Sequence, residues 1–149
     1  MIQGKWFEPG ADLSGGVLSI RDAVFSRGGD ALDAVSWNVL VYEDGTPAAA
    51  GRIWWEDGLY RLGEIGVLEE RRGRRLGDLV LRLLLFKAQS HAAREVRLVS
   101  PRDTVGFFSR LGLRPLSPDA DPVEMAVMGS DINLDSCASC AKQNCPNRK

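Results

Sequence analysis

The chain has 149 residues, room for one domain and little more, and its 44% hydrophobic and 26% charged content excludes a disordered protein. Nineteen basic residues against twenty acidic ones leave a net charge of −1. That balance excludes binding of nucleic acid or of an anionic membrane through bulk charge, but leaves room for a local anion site.

Strand and helix signals alternate from Lys5 to about Met128. Leu13 to Phe25 carries Leu13, Val17, Ile20 and Val24 at helical spacing and stops at Gly28-Gly29. Ser36 to Tyr42 reads as a strand, Asp44-Gly45 as a hairpin turn and Thr46 to Trp55 as the returning strand. Asp57-Gly58 marks a second hairpin into Leu59 to Val67, completing an antiparallel meander. Leu76 to about His91 is the longest helix, with Leu76, Leu79, Val80, Leu83, Leu84 and Lys87 on its predicted apolar face. Glu95 to Val99 is a short strand, Asp103 to Leu111 a second helix ended by Gly112, and Leu113–Leu116 with Val123–Met128 a last hairpin around Pro118-Asp119. From Gly129 the residues are small, polar and aperiodic. The expected division is a domain over 1–128 and an extension over 129–149.

The informative stretch runs from Glu64 to Asp78: a strand end, a short Arg/Gly loop (Arg71-Arg72-Gly73-Arg74-Arg75) and the start of the long helix. First-turn N–H groups lack helical partners and sit at the positive end of the helix dipole, so this geometry accepts an anion. Gly73 and Gly77 permit close backbone approach and the arginines add charge-assisted donors; a pyrophosphate fits. A βα loop with solvated arginines competes with this reading, because only Lys5, Lys87, Lys142 and Lys149 are lysines and Arg is the default cation of the chain.

At these residues the chain resembles the GCN5-related N-acetyltransferase (GNAT) superfamily, whose signature is a strand ending in Val, then Arg/Gln-x-x-Gly-x-Gly/Ala opening a helix. Val67, Arg72 and Gly77 fall on those positions without insertion, while Arg75 stands where the middle Gly usually is. Phe107-Phe108-Ser109-Arg110-Leu111-Gly112-Leu113 is similar to the family's Phe-Tyr-x-x-x-Gly-Phe segment, and Val39 to Ile53 to its first hairpin, so the similarity covers roughly residues 35 to 128. It implies an α/β (α+β) fold with a mixed, mostly antiparallel sheet flanked by helices and splayed between Leu59–Val67 and Glu95–Val99, with acetyl-CoA in the gap. Backbone groups of Ile65 and Val67 are then expected on the pantetheine arm. Amides of Arg72, Gly73, Arg74, Arg75, Leu76 and Gly77 are expected on the pyrophosphate, and a backbone N–H at the strand bend on the acetyl carbonyl.

Acetyl transfer needs an uncharged amine, an oriented thioester and a proton for the leaving thiolate. Glu64, the only acid within the strand leading into the motif, is the candidate base, with a purely structural ion pair to Arg61 or another cation as the alternative. The family's usual acid is the Tyr of Phe-Tyr; here Phe108 takes its place, leaving Ser109, Tyr60 or water. His91 is expected to face solvent. Of the adjacent Trp54 and Trp55, which point to opposite faces, one is expected in the core and one at the acceptor site.

Cys137, Cys140 and Cys145 hold every cysteine in C-x₂-C-x₄-C spacing. Three thiolates suit a zinc or iron–sulfur site lacking one ligand, which Asp135, His91, water or a second chain would supply, and a reduced thiol-bearing tail is the equal alternative. Residues 137–149 carry three cations and no acids, so without them the charge falls from −1 to −4. The longest apolar run, Leu83 to Phe86, is too short to span a bilayer and no signal peptide is visible after Met1, which makes the cytoplasm the default location. The expected function is an acetyl-CoA-dependent N-acetyltransferase acting on a primary amine. The alternatives are a non-catalytic acyl-CoA-binding module or a metal- or redox-responsive interaction protein acting through the tail. Acetyl-CoA and an amine acceptor are the expected partners, with nucleic acid and membrane excluded and a homodimer left open.

Overall fold

The computed structural model describes residues 1–134. Cys137, Cys140 and Cys145, and with them the expected metal or thiol chemistry of the tail, lie outside the described residues. Seven strands form one sheet: β1 (Ile2–Phe7), β2 (Trp37–Glu43), β3 (Thr46–Glu56), β4 (Leu59–Val67), β5 (Glu95–Ser100), β6 (Arg114–Pro115) and β7 (Val123–Met128). Three α-helices accompany it: α1 (Val17–Phe25), α2 (Leu76–Ser90) and α3 (Val105–Ser109). The sheet order is β1-β2-β3-β4-β5-β7-β6, antiparallel except where β4 meets β5.

The core explains why β2 and β3 read as near-continuous apolar runs. Val39, Val41, Ala48 and Ala49 pack with α2 on one face, while Leu40 and Ala50 pack with Val17 and Ile20 of α1 on the other. Strands covered on both faces lose the alternation of half-exposed ones. Helix α1 starts at Val17 rather than Leu13, after Gly15-Gly16, and ends on Ser26 in the left-handed region.

The apolar stripe of α2 is rotated from the expected one. Leu76, Val80, Leu81, Leu84, Leu85 and Ala88 are buried, while Leu79, Leu83 and Lys87 flank them. On the Leu83 and Lys87 flank stands β1, a strand the sequence pattern does not announce: it pairs with β2 along its length and brings Trp6 beside α2. Lys87 accordingly lies over the rings of Trp37 at 3.7 Å and Trp6 at 4.5 Å, and burial lowers its pKa. Truncating a fully buried Leu81, Leu84 or Leu85 to Ala would cost about 2–5 kcal/mol.

Two features of the sheet create the site. Strands β4 and β5 pair only at Tyr60↔Val96 and Arg61↔Arg97 and then part. Between Ala50↔Gly66 and Arg52↔Gly63, β4 places Glu64 and Ile65 opposite Gly51 alone, a bulge in which Glu64 takes φ 52°. A Cβ on Gly51 would stand 2.7 Å from Val80 Cγ1 and 2.9 Å from Leu84 Cδ1, so the position opposite the bulge has no room for a side chain. Beyond β7 the chain keeps packing: Ile132 is buried in the main core and Leu134 lies against it. Among the described residues no helix is long and apolar enough to cross a membrane.

Candidate active site

Where β4 and β5 part, a cleft of about 860 Å³ opens. Its β4 wall runs from Arg61 to Val67, its β5 wall from Arg97 to Val99, and Phe25 of α1 and Phe107 and Phe108 of α3 close the sides. Past Leu62 the strand edge of β4 that faces the cleft has no strand partner. An extended ligand lying in the gap would meet it as an added strand.

At one end the cleft joins a second pocket of about 260 Å³ lined by Val67, Arg72, Gly73, Arg75, Leu76, Gly77, Asp78, Phe107 and Arg110. Gly73 at φ 81° and Arg75 at φ 64° turn the loop back so that Arg75 caps α2, and the first helical N–H to find a carbonyl is that of Leu79, on Arg75. The preceding amides remain for an anion. Arg75 thus keeps the left-handed backbone that the usual glycine would adopt, at a cost of about 1–2 kcal/mol for its Cβ. The pocket's only acid, Asp78, is held by Arg82 Nε at 2.7 Å. Arg71 and Arg74 take no side-chain part, because both guanidiniums donate to Glu43 Oε1, at 2.8 and 2.6 Å, and lower its pKa. Arg72 reaches the pocket while its Nε donates to the Val67 carbonyl at 3.2 Å.

Behind the wall that carries Glu64 and Trp54 lie charges already paired. Arg21, 1% exposed, forks onto both oxygens of Asp33 at 2.7 Å and donates to Asn38 Oδ1. Arg52, also buried, donates to Asp30 and Asp33 and lies 4.0 Å from Glu64. Burial works to raise the Asp33 pKa, but the hydrogen bonds from Arg21 and the Asp30 N–H and the charges of Arg21 and Arg52 outweigh it and hold the carboxyl well below the usual range. Glu64 lines the cleft and receives both its hydrogen bonds from Arg27 Nη2, at 3.0 and 3.2 Å. Of the pairings the sequence offered, Arg61 or another cation, the second is the one formed; Arg61 turns toward Glu56 and Glu124.

Ile65, Val67, Arg72 and Gly77 all line the main cleft, and Gly73, Arg75 and Leu76 line the adjoining pocket. Phe108 is buried at the cleft wall, stacked edge-on against Phe107. The two hydroxyls considered as its replacement do not line the cleft: Ser109 Oγ donates to the Val105 carbonyl, and Tyr60 meets His91 in a smaller pocket of about 130 Å³. The hydroxyl in the wall is that of Thr104, 2.6 Å from Ser100 Oγ. Neither tryptophan is core: Trp54 is half-buried and lines the cleft, and Trp55 is 62% exposed, because their stretch of β3 extends beyond both helices. His91 is exposed at the C-terminal end of α2, as expected. Among the described residues no group of three or more His, Cys, Asp and Glu is placed to hold a metal.

Comparison with known proteins agrees with this geometry. The family described as Acetyltransferase (GNAT) matches residues 19–113. The chain is similar to the Bacillus subtilis protein named uncharacterized N-acetyltransferase YjcF, with 31% identity over 59% of this chain, and spans only 63% of that relative's length. The fold is that of Escherichia coli ElaA, with a TM-score of 0.74, 21% identity and 85% and 99% of the two chains covered. It is also similar to the Thermoplasma acidophilum PaiA N-acetyltransferase in complex with coenzyme A, with a TM-score of 0.56, 14% identity and 63% and 61% covered.

Proposed function

The chain belongs to the acetyltransferase (GNAT) family, and on that premise we propose that it transfers an acetyl group from acetyl-CoA to a primary amine. The observation that carries the reading is the continuity of two spaces: a strand-sided cleft of the right shape for a pantetheine arm, running into a pocket of amides and arginines suited to a pyrophosphate. Ile65 and Val67 bond the arm through their backbones. The amides from Gly73 to Gly77 and the side chains of Arg72, Arg75 and Arg110 hold the phosphates; the Arg72 amide, expected among them, donates instead to the Glu69 carbonyl. A backbone N–H at the Glu64 bulge polarises the acetyl carbonyl.

Glu64 takes the amine's proton, directly or through one water, once the incoming amine has displaced Arg27 from it. Nitrogen attack then builds a tetrahedral centre that collapses with expulsion of the CoA thiolate. Phe108 has no proton to give, so the thiolate is protonated by water or by Thr104. The same Phe108 favours a second reading, an acyl-CoA-binding module without turnover.

Titration calorimetry with acetyl-CoA and thiol release over an amine panel test the two readings in turn. Binding with amine-dependent thiol release is the expected result. Binding with no release from any amine supports the second reading, and no binding at high micromolar acetyl-CoA overturns both. Glu64→Gln is expected to lower kcat by about 10²-fold with acetyl-CoA affinity unchanged, and full activity would remove Glu64 from the proton path.

A further inference from the structure

The geometry points to an acceptor that carries a carboxylate beside its amine, with Arg61 as the residue that recognises it. This rests on the acetyl-transfer reading above and adds the class of the acceptor.

Trp54, Arg61 and Arg97 are direct neighbours in register across β3, β4 and β5, so their side chains share one face of the sheet. It is the opposite face to that of Leu62, which packs into the α2 core. All three line the cleft at the end far from the phosphate pocket. Three guanidiniums stand on this wall, and two are occupied. Arg27 is bound to Glu64, and Arg97 donates to Glu95 and Glu124.

Arg61 differs. Its closest carboxylates, Glu56 at 3.6 Å and Glu124 at 3.7 Å, are beyond hydrogen-bond reach, and its buried Nε has no hydrogen-bond partner among the described residues. A buried guanidinium donor without an acceptor is unfavourable, and two parallel N–H groups match one carboxylate. The same two glutamates neutralise Arg61 without hydrogen-bonding it, so recognition rests on its free N–H groups rather than on net charge, and the second charge of a phosphate monoester is disfavoured. Trp54, the cross-strand neighbour of Arg61, offers a flat apolar wall to the carbon skeleton, and Glu64 on the same strand faces the amine.

The test compares amino acids with their amides, which differ only in the carboxylate, as acceptors at saturating acetyl-CoA. The acids are expected to have kcat/KM at least about tenfold higher. Arg61→Gln is expected to raise KM for the acids by a similar factor, leaving KM for the amides and for acetyl-CoA unchanged. Amides accepted as well as acids, or an Arg61→Gln loss shared equally by both, would overturn the inference. If no amine is acetylated, the transfer reading fails by itself. Binding of the same amino acids to the CoA-loaded protein, followed by tryptophan fluorescence, then decides: quenching lost in Arg61→Gln upholds recognition by Arg61, and quenching absent or unchanged overturns it.

Discussion

Behind the Glu64 wall of the cleft, Arg21 and Arg52 are buried and bound to the carboxylates of Asp30 and Asp33. At the start of α2, Arg72, Arg75 and Arg110 are exposed around a pocket whose one acid is already paired with Arg82. The residue type is the same and the use is opposite. The buried pairs fix the Asp30–Asp33 turn and Asn38 of β2 in one arrangement, which shapes the wall carrying Glu64 and Trp54. The exposed arginines keep their donors for a ligand. An arginine count therefore says little about ligand charge; what matters is which guanidiniums the protein's own carboxylates have taken.

Removing a buried partner should have the largest effect. Arg21→Ala leaves Asp33 without its fork and is expected to destabilise by about 3–5 kcal/mol in urea unfolding, whereas any single change at Arg72, Arg75 or Arg110 should stay well below that. The pair also predicts an acid limb. The folded pKa of Asp33 lies below its unfolded value, so its contribution is complete above about pH 4 and is lost as the pH falls through the folded value. Unfolding free energy measured from pH 7 down to pH 3 should drop below pH 4 in the parent, and less steeply in Asp33→Asn.

Arg72→Ala should weaken acetyl-CoA about tenfold in titration calorimetry without lowering stability, the reverse of the Arg21 pattern. Arg75→Gly relieves a left-handed Cβ and should raise stability by about 1 kcal/mol while weakening CoA a few-fold; a loss of stability would mean that the arginine side chain packs rather than waits. The smallest effect is expected for Glu43→Gln, which releases Arg71 and Arg74: the urea midpoint stays unchanged, and acetyl-CoA binds more tightly at low salt but not at high salt.

The spacing from Val67 to Gly77 announces the strand, the turn and the helix start, because each depends on local backbone geometry. Arg75 departs from the family pattern and takes the left-handed conformation at the helix start itself. Strand β1 is not announced: Ile2 to Lys5 are exposed and lack alternation, and pairing with β2, distant in the chain, makes the strand. That omission hides the setting of Lys87, which lies over Trp6 of β1 and Trp37 of β2. The partner of Glu64 is hidden for a similar reason. Arg27 lies 37 residues away and reaches the bulge only after α1 has packed on the sheet. Trp54 and Trp55 alternate as expected, but where the helices end over β3 decides that neither is core. Thr104 carries no pattern at all; it joins the cleft wall from a short turn that precedes α3, with its hydroxyl on Ser100 Oγ and the Pro101 carbonyl.

The two residue pairs joining β4 to β5 also bear on how the molecule opens. Strands β2 to β4 are consecutive hairpin neighbours with β1 added on β2, while β5, β7 and β6 form a second antiparallel block held to the first by Tyr60↔Val96, Arg61↔Arg97 and the packing of α2. Local pairings close early in folding and non-local ones late. The amides of β5 and β7 are therefore expected to exchange with solvent as one cooperative unit, at a lower opening free energy than those of β2 and β3. A ligand lying between β4 and β5 would bridge the blocks and raise that opening cost toward the global one, so occupancy of the gap would be measurable as slowed exchange in β7, which does not line it.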